Sequence, residues 1–479
     1  MRESGAQEKT LVRDLTEGSI TRLLLRFALP LLAANALQAL YNLVDMVVVG
    51  QHIGGAGMSA VSVGGDLLHL ITFVAMGFSS AGQVLIARDV GAGRLDRVSR
   101  TIGNLFVFLF SAAVLIGAAC LIFRTKILQL VNTPDESFSL TMDYFVTCSC
   151  GLVFIYGYNC VSAILRGMGD SKRPFVFVAV AAVLNTVLDI IFVIPLEMGA
   201  FGAALATVIG QGTSFALSIV YLYKRREMFH FDFKPESFRP DGKTMGRLVG
   251  LGIPMSIQSM AVTLSKTILM SWINSEGMIY SALAGVYNKT GTMFGIVSNS
   301  FTTAGSSMIG QNLGAGKNER VPKILRVVLT IGMALATAMS VFLIFFSEPF
   351  YEIFTTDREV LDAAGILTLP IILNLYGGAT RTGGFALING TGRSKLNLFV
   401  AIFDGVISRI GIAALMYFTW KMGALGCWYG DAIAGFMPFV IGGIFFLSGK
   451  WKTPVRKDGA EEPDAQDERE EQKRVKGQT

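Results

Sequence analysis

Asp45 is an acid in the middle of a greasy segment. It sits in residues 29–50, LPLLAANALQALYNLVDMVVVG, which are otherwise almost wholly apolar. Gln38, Tyr41 and Asp45 are spaced i, i+3, i+7, so on a helix they share one face. A carboxylate in a lipid-spanning helix costs about 2.5–3.5 kcal/mol on insertion scales. It persists where it faces a protein interior, a water-filled cavity or a bound cation. Further on, Asn185 and Asp189 form an i, i+4 pair, and Thr207 follows in the next apolar run. Two carboxylates, an amide and a hydroxyl are hard oxygen ligands suited to Na⁺, or a carboxylate pair suited to sharing a proton. Two such acids close together in a low dielectric do not both ionise cheaply, so a proton or a cation must settle the charge. The plainer alternative is that Asn185 and Thr207 only bond helices together while Asp189 turns outward.

These residues need membrane helices to carry them. The chain has 479 residues, 52% of them hydrophobic and 16% charged, with 34 Phe, 20 Met and 53 Gly. Apolar runs of about 20 residues recur throughout, the mark of an all-α polytopic membrane protein rather than a β-barrel. The spacing predicts about twelve spans, at 20–48, 56–88, 100–123, 136–166, 173–195 and 200–223, then 246–273, 279–312, 324–347, 360–390, 396–419 and 425–448. The net charge of +6 is no nucleic-acid signal, because the basic residues cluster in short links between spans. Alternate links receive Arg88, Arg94 and Arg97, then Lys172 and Arg173, then Lys317 and Arg320, then Arg393 and Lys395, which predicts that both termini are cytoplasmic. The first apolar run is too long for a signal-peptide core and is expected to stay as a span. The five cysteines lie in apolar runs with no ligand-like partners, and His52, His69 and His230 are scattered. No nucleophile–base or metal constellation of an enzyme is legible, and no resident cofactor is expected.

The chain also repeats itself. Leu165-Arg-Gly-Met-Gly-Asp-Ser-Lys172 matches Leu387-Ile-Asn-Gly-Thr-Gly-Arg-Ser-Lys395 about Gly169 and Gly392. Ala92-Gly93 matches Ala315-Gly316, Met198-Gly-Ala matches Met422-Gly-Ala, and Pro30 matches Pro254. Two six-helix repeats of one orientation are related by an axis along the membrane normal. The domain reading is therefore a cytoplasmic segment 1–19, a first lobe 20–224, a polar linker 225–245, a second lobe 246–449 and a charged tail 450–479. Pro30 and Pro254 each free a backbone carbonyl within a span and are candidate hinges.

The second half does not copy the acid pair. Ser408 and Ile412 stand where Asn185 and Asp189 stand in the first. It holds instead Lys266, Lys289, Arg381 and Arg409, with Asp404 and Asp431. Their partners are not legible from spacing; Asp404 and Arg409, at i, i+5, do not face each other on an α-helix. A structural ion-pair network is the favoured reading over substrate contacts.

With these residues in place the chain resembles the MATE (multidrug and toxic compound extrusion) family, in particular its MepA-like bacterial branch and archaeal relatives. The resemblance runs from about Thr21 to Ser448. It rests on Pro30 with Gln38-x-x-Tyr41-x-x-x-Asp45, on Gly91-Ala-Gly93 and its repeat at Gly314, on Leu165-Arg-Gly-x-Gly-Asp-Ser-Lys172, on Asn185-x-x-x-Asp189 and on Gly199-Ala-x-Gly-Ala-Ala-x-Ala-Thr207. It implies two six-helix lobes in a V and alternating access. It also implies export of organic compounds driven by inward Na⁺ or H⁺ across a bacterial or archaeal cell membrane. The cation site it implies is Asp45, Asn185, Asp189 and Thr207, with Gln38 and Tyr41 beside it. The expected partners are small organic substrates and the lipid bilayer, not nucleic acid, with a single chain as the working unit. The alternative is a flippase for a lipid-linked precursor, which would show more than twelve spans or a strongly basic cavity.

Overall fold

The computed structural model describes residues 14–453. The charged tail read from 450 onward falls, beyond 453, outside the described residues, as does the N-terminal segment up to 13. Among the described residues the fold is built from twelve main helices. The first six are α1 (Ile20–Ile53), α2 (Gly55–Gly91), α3 (Leu95–Leu130), α4 (Asp135–Cys150 with Leu152–Gly167), α5 (Lys172–Val193) and α6 (Gly199–Lys224). The second six are α7 (Gly242–Asn274), α8 (Met278–Gly314), α9 (Arg320–Phe345), α10 (Arg358–Gly390), α11 (Ser394–Thr419) and α12 (Ala424–Leu447). Ten are each long and apolar enough to cross a membrane, and the two pieces of α4, bent by 48°, form an eleventh span. The twelfth, α8, carries many Ser, Thr and Asn residues and packs against α2 and α10. α4 bends at Gly151, where an added Cβ would lie 2.6 Å from Val208 of α6.

The repeat anchors are backbone devices. Gly93 and Gly316 have φ of 68° and 71°, and Gly169 and Gly392 have 87° and 64°. These left-handed turns end α2, α8, α4 and α10, where a side chain would be strained.

The packing boundary differs from the sequence boundary between lobes. Leu24, Phe27 and Leu31 of α1 pack in one core with Phe301, Ala304 and Met308 of α8. Reciprocally, Leu248, Leu251 and Met255 of α7 join the first-half core with Phe78 and Val84 of α2. The first helix of each half thus crosses onto the second helix of the other. α1 and α7 run unbroken through Pro30 and Pro254, which lie near these crossings.

The linker is more ordered than its polar composition predicts. Phe231 is buried, with its ring 6.2 Å from Phe106 of α3 and 5.2 Å from Phe238. Asp241 caps α7 by accepting from the Thr244 backbone N–H at 2.8 Å and from its hydroxyl, which together hold its carboxyl below the usual range. That cap starts α7 at Gly242, four residues earlier than the apolar pattern suggests.

Candidate functional site: an acid pocket and a charged cavity

The first lobe gathers its polar residues where α1, α5 and α6 meet. Asp45 is 5% exposed and Asp189 fully buried, so neither points at lipid. Gln38 and Tyr41 from α1, Asn185 from α5 and Thr207 from α6 line one small cavity of about 20 Å³. That is room for a water molecule or a bare monovalent cation, not for an organic compound. Gln211 donates to the Tyr41 hydroxyl at 3.3 Å, and Tyr158 and Ser214 complete the wall. Asp45 and Asp189 are not part of that lining. Each follows a lining residue by four positions on its helix, Asp45 after Tyr41 and Asp189 after Asn185. The two acids are within electrostatic reach of each other and of Tyr144 on α4.

The hydrogen bonding of this pocket is incomplete. One oxygen of Asp45, both oxygens of Asp189 and both polar atoms of Asn185 are buried with no protein hydrogen-bond partner. Buried polar atoms are nearly always paired, so the four oxygens among these five atoms fit a small, oxygen-seeking guest. Among the described residues no group of three His, Cys, Asp or Glu forms a transition-metal type centre; the donor set here is two carboxylates with neutral oxygens. Tyr144, Gln211 and Ser214 were not singled out in the sequence. Thr207, Gln211 and Ser214 are spaced i, i+4, i+7, and that stripe was the available signal.

The second lobe meets a cavity of about 470 Å³, within the range of drug-sized pockets. It lies between α2 and the inner faces of α7, α8, α10, α11 and α12. Its charges are wired together. Arg381 Nη2 donates to Asp404 Oδ2 at 2.7 Å, and Arg409 reaches Asp404 at 3.5 Å and pairs with Asp431. Asp431 also accepts from the Tyr287 hydroxyl and from Asn374 Nδ2, each at 3.0 Å. Lys266 stands 3.9 Å from Asp431. Lys289 is exposed and enters none of the ion pairs among the described residues.

One expectation is corrected here. Asp404 and Arg409 do face each other, because residues Phe403–Ser408 form a π-helix. Its i→i+5 repeat brings the fifth residue round to the first, and the Ser408 hydroxyl likewise bonds back to the Phe403 carbonyl at 2.6 Å.

Below the large cavity, at the end bearing the basic links, the two halves close on each other. Gln83 donates to the Ser307 hydroxyl at 2.7 Å and accepts from Arg166 at 2.8 Å. Arg88 donates to the Thr391 carbonyl at 2.9 Å, and its repeat counterpart Gln311 donates to the Gly167 carbonyl at 3.2 Å. Gly91 abuts the Gln311 carbonyl and Gly314 abuts the Arg88 carbonyl, so equivalent residues meet across the pseudo-two-fold axis. Arg247 and Asp89 add an ion pair at 3.8 Å.

Comparison with known proteins adds the last observation. A family model described as MatE matches the chain twice, over residues 30–191 and 254–415, starting each time at the proline shared by the repeats. The chain is 27% identical over 432 residues to a probable multidrug resistance protein, YoeA, of Bacillus subtilis, covering 89% of this chain and 93% of that one. A second protein of that organism, the probable multidrug resistance protein YpnP, is 29% identical over 308 residues, covering 64% and 68%. A crystal structure of MATE in the bent conformation superposes with a TM-score of 0.83 at 21% identity, covering 92% of this chain and 98% of that one.

Proposed function

The chain belongs to the MatE family, whose members are multi-pass membrane transporters and not enzymes, and from that premise we propose that it is a multidrug exporter coupled to inward Na⁺ or H⁺. The observation that carries the coupling is the pair of buried acids, Asp45 and Asp189. One oxygen of Asp45 and both of Asp189 lack protein partners, and each acid lies four positions along its helix from a residue lining a cavity of cation size, which is separate from the organic-sized one. Asp45, Asp189, Asn185 and Thr207 are the residues to hold the ion, with Gln38 and Tyr41 on the same wall. Entry of one positive charge relieves the repulsion between the two carboxylates; its loss restores it. That change in charge falls on α1 and α5, and biases the lobes between two arrangements.

The closed basic end supports alternating access. With that end in the cytoplasm, as the positive links direct, the arrangement seen here is shut toward the cytoplasm, and both termini lie on that side. The opposite state requires the Gly91–Gln311 and Gly314–Arg88 contacts to part, with Pro30 and Pro254 as the hinges. The chain acts as a monomer in the cell membrane of a bacterium or archaeon. The lipid-precursor flippase is disfavoured, because the chain folds as twelve helices and the large cavity carries a single surplus positive charge.

The test is efflux of a fluorescent substrate from proteoliposomes with imposed Na⁺ and H⁺ gradients, applied separately. Asp45→Asn, at unchanged expression and folding, is expected to abolish the gradient-dependent component. Gradient-driven efflux that survives in that variant refutes the coupling site.

A further inference from the structure

We infer that the large cavity selects substrates bearing an acidic group, with Lys266 as the residue that receives it. The inference rests on the exporter reading for the fate of the ligand but not for its binding. Three cations, Lys266, Arg381 and Arg409, reach this cavity. The only carboxylate in its lining is Asp431, with Asp404 buried immediately behind Arg381 and Arg409. Arg409, 1% exposed, is spent between these two carboxylates. Arg381 is held by Asp404 at 2.7 Å, with its guanidinium 5.0 Å from the Phe385 ring centre. Asp431 is filled by Arg409, Tyr287 and Asn374.

Lys266 is left over. Its Nζ lies 3.9 Å from Asp431, outside hydrogen-bond distance, and its side chain is 35% exposed toward the cavity. From the first lobe the wall supplies His69, Gln83 and apolar or hydroxyl groups, but no carboxylate. At their ordinary protonation states, three cations face two carboxylates, which leaves one cation short of a counter-charge. A carboxylate, sulfonate or phosphate supplies it, while a cationic compound meets like charge. Phe73, Phe294 and Phe385 offer faces to the rest of an aromatic acid.

The probe is a matched set of similar size: 2-naphthoate, 2-naphthamide and 2-naphthylmethylammonium, titrated calorimetrically into the full chain in nonionic detergent. Naphthoate is expected to bind at least tenfold more tightly than either of the others. Lys266→Gln is expected to cut naphthoate affinity tenfold or more while leaving naphthamide within twofold, and Lys266→Arg to keep it. The unchanged naphthamide affinity shows that the variant is folded. The ranking of the three ligands on the unaltered chain decides the matter even if no variant folds. Competition by dioleoyl phosphatidate identifies a lipid headgroup as the source of the acid; naphthoate binding without such competition identifies a soluble one. Ammonium binding tighter than naphthoate, no naphthoate binding, or an unchanged Lys266→Gln protein overturns the inference. Vesicle assays separate the two readings. Naphthoate that binds while no gradient moves any of the three ligands defeats export but not the acid site. Gradient-driven movement of the ammonium without naphthoate binding defeats the acid site but not export.

Discussion

The two lobes descend from one repeat, yet they treat buried charge in opposite ways. The first leaves its acids short of partners: the oxygens of Asp189 and one of Asp45 meet no donor. The second saturates its acids, with Asp404 and Asp431 gripped by Arg381 and Arg409. Under the proposed coupling, an unsatisfied pair is the element that changes charge, and a satisfied network shapes a wall. The difference teaches that similar helix geometry serves as a switch or as a scaffold according to whether the protein supplies the counter-charge.

Substitutions break or sharpen this contrast. The largest effect is expected from Asp45→Asn or Asp189→Asn, which should reduce gradient-driven efflux to background in reconstituted vesicles. A second contrast is in stability. Asp431→Asn removes a counter-charge from buried Arg409 and should cost about 3–5 kcal/mol, as breaking a buried pair does. Asp189→Asn should be neutral or stabilising, since it discards a buried charge without a protein partner. Thermal unfolding in detergent reads both, and equal losses in the two variants would erase the distinction drawn here. Where the halves are alike, effects should match. Gly91→Ala and Gly314→Ala each push a methyl into an opposing carbonyl, and each should cost about 1–3 kcal/mol on the same thermal measurement. The smallest effect is expected from Thr207→Val. With Na⁺ as the driving ion it should raise the sodium concentration for half-maximal transport severalfold, for loss of about 1 kcal/mol; with H⁺ it should change little.

Much of this was legible in the sequence, because a polar residue in a lipid-spanning segment needs a reason. Asp45, Asn185 and Thr207 stood out against apolar neighbours; Asn185 and Thr207 line one small cavity, and Asp45 lies four positions beyond Tyr41, which lines it too. The repeat was legible because its anchors are glycines whose backbone no other residue adopts easily. What escaped has physical causes. The Asp404–Arg409 pair was hidden because spacing arguments assume 3.6 residues per turn, and a π-helix breaks that assumption. Tyr144 escaped because its helix bends at Gly151, which re-aims the first piece of α4 in a way that no periodicity reports. The aromatic packing of Phe231 and Phe238 was masked by the prolines and charges around them, which read only as a polar linker. The exchange of α1 and α7 between cores was invisible, because a hydrophobic pattern does not say which neighbour a helix meets.

That exchange has a mechanical corollary. α1 is one uninterrupted rod whose starting turns are embedded in the second lobe's core while its Asp45 end belongs to the first. α7 is the mirror case, rooted on α2 and ending near Lys266 at the organic cavity. Each lobe therefore grips a handle belonging to the other, like crossed levers with the prolines near the pivots. Under the proposed coupling, neutralising Asp45 would be felt across the molecule as leverage, without any chain of side chains to relay it.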